Sequence, residues 1–266
     1  MMDLFERLRR SKVYDLAQPY FVGMPHFPTH PPFLFGLTKK HGDMVSESGV
    51  SSCADAIALG SHVGTHIDAL CHFSYGGKLH GGVEAKNVQS DSGGIGRHSV
   101  DTIAPIMRRG VLLDIAGHLN AEELPADFTI TPEHLESAAK AQKIEVQNGD
   151  VVLLRTGWAR FWSDAARYIT GGHGMTATGP GPEIEGARWL SKRGVFAAGS
   201  DTVAFERVPS AMAVHVHLLV ESGIHIIEAL NLEELARDRI YEFVFVAAPL
   251  KIRGGTGSPI RPLALT

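Results

Sequence analysis

Ser61-His62-Val63-Gly64-Thr65-His66-Ile67-Asp68-Ala69-Leu70-Cys71-His72 gathers three imidazoles and a carboxylate into one short segment. On a helix, His62 and His66 would share a face, but Asp68 would swing roughly half a turn away at about 100° per residue. An extended chain has a side-chain period of two. His62, His66, Asp68 and His72 then fall on one side, with Gly64 leaving that side open and Cys71 pointing away. Neutral imidazole nitrogen and carboxylate oxygen suit Zn, Mn or Fe, and three protein ligands leave positions for water and substrate, as in a catalytic site. A lone histidine is more often solvated or hydrogen-bonded than metal-bound. Four ligand-type side chains in one register point to a metal.

The rest of the chain bounds what such a site can serve. With 266 residues, 44% of them hydrophobic, it can bury one substantial core, and residues 1–266 read as a single domain. A net charge of −4, with both signs scattered, offers no basic stripe, so no nucleic-acid partner is expected. The two cysteines, Cys53 and Cys71, cannot build a disulfide framework and suit a reducing cytoplasm. Residues 1–10 are amphipathic and lack the apolar run of a signal peptide. No segment approaches the roughly 20 apolar residues of a membrane helix. A soluble, intracellular protein without a membrane partner is expected.

Working outward, residues 1–10 read as a short helix ending near Ser11, and residues 13–17 as a strand. Pro19 to Pro32 holds five prolines, so it is irregular. Phe21, Met24, His26, Phe27 and Phe33 in or beside it would make a wall for an aromatic or cyclic substrate. Residues 50–60 read as a strand leading into the histidine motif. Tyr75 to Gly82 is a glycine-rich turn, expected to act as a flap, and it lacks the Gly-Lys-Ser/Thr of a phosphate loop. His80 within it reads as a solvated loop residue.

Strand and helix then alternate. Gly110–Ile115, Asp150–Arg155 and Val195–Gly199 are short buried strands. Thr131 caps a helix with Pro132 at its first position, and Pro182–Arg193 is a helix stopped by Gly194. This is the pattern of an α/β fold. No dinucleotide fingerprint is present, so no redox cofactor is indicated. Residues 157–181 read as one long irregular piece, where Trp158, Phe161 and Trp162 could form an opposite pocket wall and His173 could approach a substrate. Later, His215 and His217 share a face if extended, and Glu228 closes the β-branched run from Ile224. A carboxylate at the end of a buried strand needs a partner.

His62-x-Gly64-Thr65-His66-x-Asp68-x-x-x-His72 resembles the signature of the metal-dependent cyclase family, which includes bacterial-type kynurenine formamidases and isatin hydrolases. The likeness covers most of the chain. It extends over Tyr14 to Pro19 with Met24-Pro25 and Phe27-Pro28, then Gly199 to Thr202, Gly223 to Glu228 and Gly254 to Pro259. One departure is Leu70, where the family usually has a proline that stiffens the turn towards His72. The resemblance implies a single β-rich α/β domain with a barrel-like or swivelling β/β/α core. It also implies that the N-terminal segment lines the pocket, with Phe27 at the formamidase tryptophan position, and that a histidine and Glu228 complete the site. His215 matches that histidine better than His217.

Together these readings assign His62, His66 and Asp68 to a divalent metal, Mn or Zn, as one or two ions. His72, His215 and Glu228 become catalytic, and Phe27, Phe33 and Trp158 line the substrate. His72 would move the proton of the attacking water, and Asp68 could bridge to a second ion held by His215 and Glu228. The expected function is hydrolysis of an amide, formamide, lactam or lactone bond in a small cyclic or aromatic substrate. The competing class is a non-catalytic metal- or small-molecule-binding protein on the same scaffold. A homodimer or homotetramer is implied by the resemblance.

Overall fold

Four parallel strands, Ile106–Asp114, Val151–Arg155, Ala197–Ser200 and His225–Glu228, form the middle of a nine-stranded sheet. The computed structural model describes residues 2–172 and 176–266. On one flank lie Glu242–Ala247, Leu263–Leu265 and Val13–Asp15, and on the other His66–Asp68 and Gly257–Pro259, all paired antiparallel. Val151, Val152, Leu153 and Leu154 are all buried, as expected where a parallel strand is covered on both faces.

The last two strands explain why this sheet is barrel-like. Gly257–Pro259 lies at one edge, whereas Leu263–Leu265 is next to the strand at the other edge. Laid flat, seven strand spacings of about 4.8 Å would part them by roughly 34 Å. The link from Pro259 to Leu263 reaches about 14 Å at most. The sheet must therefore curl. Its two sides then meet across the N-terminal segment: Leu16 N donates to Pro262 O at 2.9 Å, and Ile260 N to Thr65 O at 3.0 Å.

One face of the sheet carries Val152, Leu154, Ala198 and Ile226 against the helices Pro132–Gln142 and Ile184–Lys192. The other packs Leu112, Leu153, Ala197, Ile227 and Phe245. The first of those helices starts where the sequence places it: Thr131 Oγ1 accepts from His134 N, and Pro132 follows. Gly194, at φ +65°, stops the second.

Three expectations about local structure are corrected. The strand expected over residues 50–60 is shorter, Ala54–Ala58, and it pairs with Leu34–Lys39 in a separate exposed hairpin outside the nine-stranded sheet that carries the motif. Residues 157–181 include a 3₁₀ turn, Trp158–Phe161, and a helix, Ala165–Thr170, whose N-cap Asp164 accepts from Arg167 N. Residues 213–222 are helical, passing from Ala213–His215 into a π-helical turn Val216–Ser222, where an extended run was expected. Val214, Leu218 and Leu219 are buried there, a helical spacing that outweighs the local alternation of valine and histidine.

Candidate metal centre

His66–Asp68 pairs with the end of His225–Glu228, with Glu228 opposite His66 and Ile227 opposite Ile67. Ile67 enters the core, so the alternation turns His66 and Asp68 to the other face. Only these three residues of the motif are extended. His62 and His72 come from the turns on either side, which corrects the single extended register read over 62–72. Gly64 makes the first turn possible. It holds φ +72°, and a Cβ there would sit 2.3 Å from the Tyr20 ring, whose hydroxyl donates to Val63 O at 2.9 Å. Gly64→Ala is expected to cost about 3 kcal/mol in denaturant unfolding, combining left-handed strain with overpacking. Unchanged stability would refute this reading of the turn.

The six polar residues expected in the site converge. His62 Nδ1 lies 2.7 Å from Asp68 Oδ1, and its Nε2 2.9 Å from Thr256 Oγ1. His66 Nδ1 bonds Gly64 O at 2.8 Å, which turns Nε2 inward, 3.5 Å from Asp68 Oδ1 and 3.4 Å from Glu228 Oε2. His215 Nε2 is 3.2 Å from Glu228 Oε1 and 4.0 Å from Asp68 Oδ2. Ligand atoms of His62, Asp68 and His72, and again of Asp68, His215 and Glu228, lie within 4.8 Å of one another. Asp68 belongs to both groups.

Electrostatics keep the carboxylates charged. Burial alone would raise Asp68, but the imidazoles of His72, His62 and His66 hold it well below the usual carboxylate range. Burial would raise Glu228 too, and His215 and His66 bring it down to about 2. His215 is pushed up to about 10 against its burial by Glu206 and Glu228. Burial depresses His72 to about 3, so it stays a neutral base.

Two atoms test whether a cation fits. His66 Nε2 and Asp68 Oδ2 are buried and have no hydrogen-bond partner. An unmet buried polar group costs about 1–3 kcal/mol, and here both atoms face the shared centre of the ligand groups. A divalent cation would satisfy them, and the donor set combines imidazoles, which suit Zn, with carboxylates, which suit Mn.

Glu206 was not legible as a site residue. It is 2% exposed, and its Oε1 accepts from His215 N at 3.0 Å and lies 2.6 Å from His215 Nδ1. That bond aims Nε2 at the centre. Glu206→Ala should weaken metal binding about 10- to 100-fold in a chelator competition while leaving the fold intact. An unchanged affinity would reduce Glu206 to packing.

Above the centre opens a cavity of about 570 Å³. Phe27 lines it, as do His30 and Phe73, which sequence reading did not single out. Phe33 does not reach it, being packed edge-on against Tyr20 at 5.5 Å. Trp158 is also displaced from the expected wall. It is 3% exposed in the core beside Trp162 and Tyr168, with its indole N–H donating to Leu124 O. His217 points elsewhere, to Glu221 and Ser191. His80 is partly buried, with Nδ1 bonded to Val220 O, and is not a solvated loop residue. His173 lies outside the described residues.

A curled mixed sheet with a histidine–carboxylate centre shared through one aspartate defines a class of candidate metalloprotein. The family model described as "Putative cyclase" matches residues 14–207, and the chain belongs to that cyclase family. It is 28% identical to an isatin hydrolase of Roseibium aggregatum over 79% of this chain and 73% of that protein. It is 25% identical to a kynurenine formamidase of Bacillus thuringiensis subsp. konkukian over 96% and 97%. A crystal structure of a novel cyclase superposes with a TM-score of 0.87 at 29% identity, covering 98% of this chain and 92% of that one. Isatin hydrolase A from Ralstonia solanacearum superposes at 0.77 with 28% identity, covering 100% and 96%.

Proposed function

We propose that this chain is a metal-dependent hydrolase that adds water across an amide, formamide, lactam or lactone carbonyl of a small cyclic or aromatic compound. One observation carries the reading: two buried ligand atoms without partners, His66 Nε2 at the floor of a largely apolar cavity and Asp68 Oδ2 just beneath it. The names of the relatives, isatin hydrolase and kynurenine formamidase, support the reaction class.

His62, His66 and Asp68 would hold one Mn or Zn ion, and Asp68, His215 and Glu228 a second. Such a cation, when bound, would supply Lewis acidity towards a carbonyl and a water. Glu206 orients His215. His72 accepts the water's proton and returns it to the leaving nitrogen or oxygen. Phe27 and Phe73 exclude bulk water from the reacting carbonyl.

The test is elemental analysis of protein purified without chelator, with turnover measured on isatin, N-formylkynurenine and a panel of small lactones. One or two equivalents of Mn or Zn with hydrolysis of at least one compound are expected. A protein that binds neither metal and hydrolyses nothing after metal addition would overturn the proposal.

Self-association is part of the same reading. The hairpin Leu34–Lys39/Ala54–Ala58 exposes Leu34, Phe35, Leu37 and Ile57, apolar surface of the kind a second copy covers. Light scattering giving a strict monomer would remove this element. The free Cys53 and Cys71 support a reducing, cytoplasmic setting, and no helix among the described residues is long and apolar enough to cross a membrane.

A further inference from the structure

We infer that the organic body of the substrate is uncharged, so that this site takes neutral cyclic or aryl amides and discriminates against congeners bearing a carboxylate or an amino-acid zwitterion. The inference rests on the hydrolase reading and adds to it the class of compound. The wall facing the histidine–carboxylate floor is built from Phe27, Phe73, Val203, Ala204, Val208 and Met212. No lysine or arginine lines the cavity among the described residues.

The cation next to that wall in sequence is already engaged: Arg207, beside Val208, pairs with Glu183 at 2.7 Å. The fixed charges at the cavity itself are those of the metal floor, where Glu228 is exposed to the cavity and Asp68 lies just beneath. A carboxylate remote from the reacting carbonyl would leave water for an apolar wall without a counter-charge, a transfer that strongly disfavours binding. A flat neutral ring gives up little hydration and gains contact with the two phenylalanines.

Beyond the floor, the uncharged polar groups of the lining are the hydroxyls of Thr29, Thr176 and Ser210 and the imidazole of His30. His30 is half-buried, with Nδ1 3.3 Å from His62 O and its ring 5.7 Å from that of Phe27. Nδ1 thus donates to the backbone carbonyl, and Nε2 of the neutral ring is left as an acceptor for an N–H on the substrate ring.

The inference can be tested by binding alone, so that it does not share its readout with turnover. Oxindole is a neutral lactam lacking the activated second carbonyl, and oxindole-5-carboxylate carries its charge away from the lactam. Calorimetry on metal-loaded protein should show oxindole binding at least tenfold more tightly. In Met212→Arg, which places a cation on the wall, the ratio should narrow or invert. Equal affinities in the wild type, tighter binding of the carboxylate, or no binding of oxindole at millimolar concentration would each overturn the inference. Hydrolysis of isatin with equal oxindole affinities would sink this inference and leave the hydrolase reading. Selective oxindole binding without hydrolysis of any test compound would do the reverse.

Discussion

Asp68→Asn is expected to empty the centre and abolish turnover, with metal content below about a tenth of an equivalent and kcat/KM down at least 10³-fold, about 4 kcal/mol. Asp68 is 1% exposed and common to both ligand groups, with Oδ1 2.7 Å from His62 Nδ1 and Oδ2 lacking any hydrogen-bond partner. Asparagine keeps the shape but removes the charge that opposes the cations. It also turns one acceptor into an N–H donor facing imidazoles and a cation. The neighbouring imidazoles cannot substitute, because each offers the centre a single neutral nitrogen, and Asp68 alone belongs to both ligand groups. Elemental analysis beside steady-state kinetics measures both effects, and circular dichroism confirms that the sheet persists. A variant with full metal and more than a tenth of the activity would show that Asp68 is not the shared ligand.

His72→Ala should separate chemistry from binding. The expected result is retained metal and kcat reduced about 10²- to 10⁴-fold, the range for losing a positioned acid–base group. Distance alone would admit His72 as a ligand, since its nitrogen lies within 4.8 Å of the ligand atoms of His62 and Asp68. Ring geometry argues otherwise. The His72 and His62 rings are stacked with centroids 3.8 Å apart and planes 23° from parallel. Imidazole lone pairs lie in the ring plane, so two stacked rings direct them side by side and not towards one ion. His72 is therefore placed next to the cation's position as a neutral base. Loss of metal in the variant would return His72 to the ligand set, and unchanged kcat would remove it from the mechanism.

Much of the centre was readable because its ligands are close in sequence. His62, His66, Asp68 and His72 lie in one segment, and the spacing of His66 and Asp68 around Ile67 survives as two neighbours on one strand face. The alternation failed where the chain turns. His62 and His72 reach the centre from bends whose direction depends on Gly64, Tyr20 and the Thr256 hydroxyl. Glu228 was legible as a carboxylate ending a β-branched run, and His215 through family resemblance. The choice of His215 over His217 became visible only in a helical turn that buries one imidazole and leaves the other beside Glu221.

Composition and short-range spacing alone thus determined the chemistry available here: a divalent-cation donor set, an α/β chain with one core, and a cap at Thr131. These are local properties, set by residue type and by the two backbone periods. Tertiary structure decided which side chains share a cavity. The short link from Pro259 to Leu263 curls the sheet, and strand pairing brings Glu228 beside His66. Packing then sends Trp158 and Phe33 into the core, leaves Phe27, His30 and Phe73 on the lining, and sets Glu206 behind His215. Such long-range closure depends on the sum of many weak contacts across the whole chain, and no local stretch of residues encodes it.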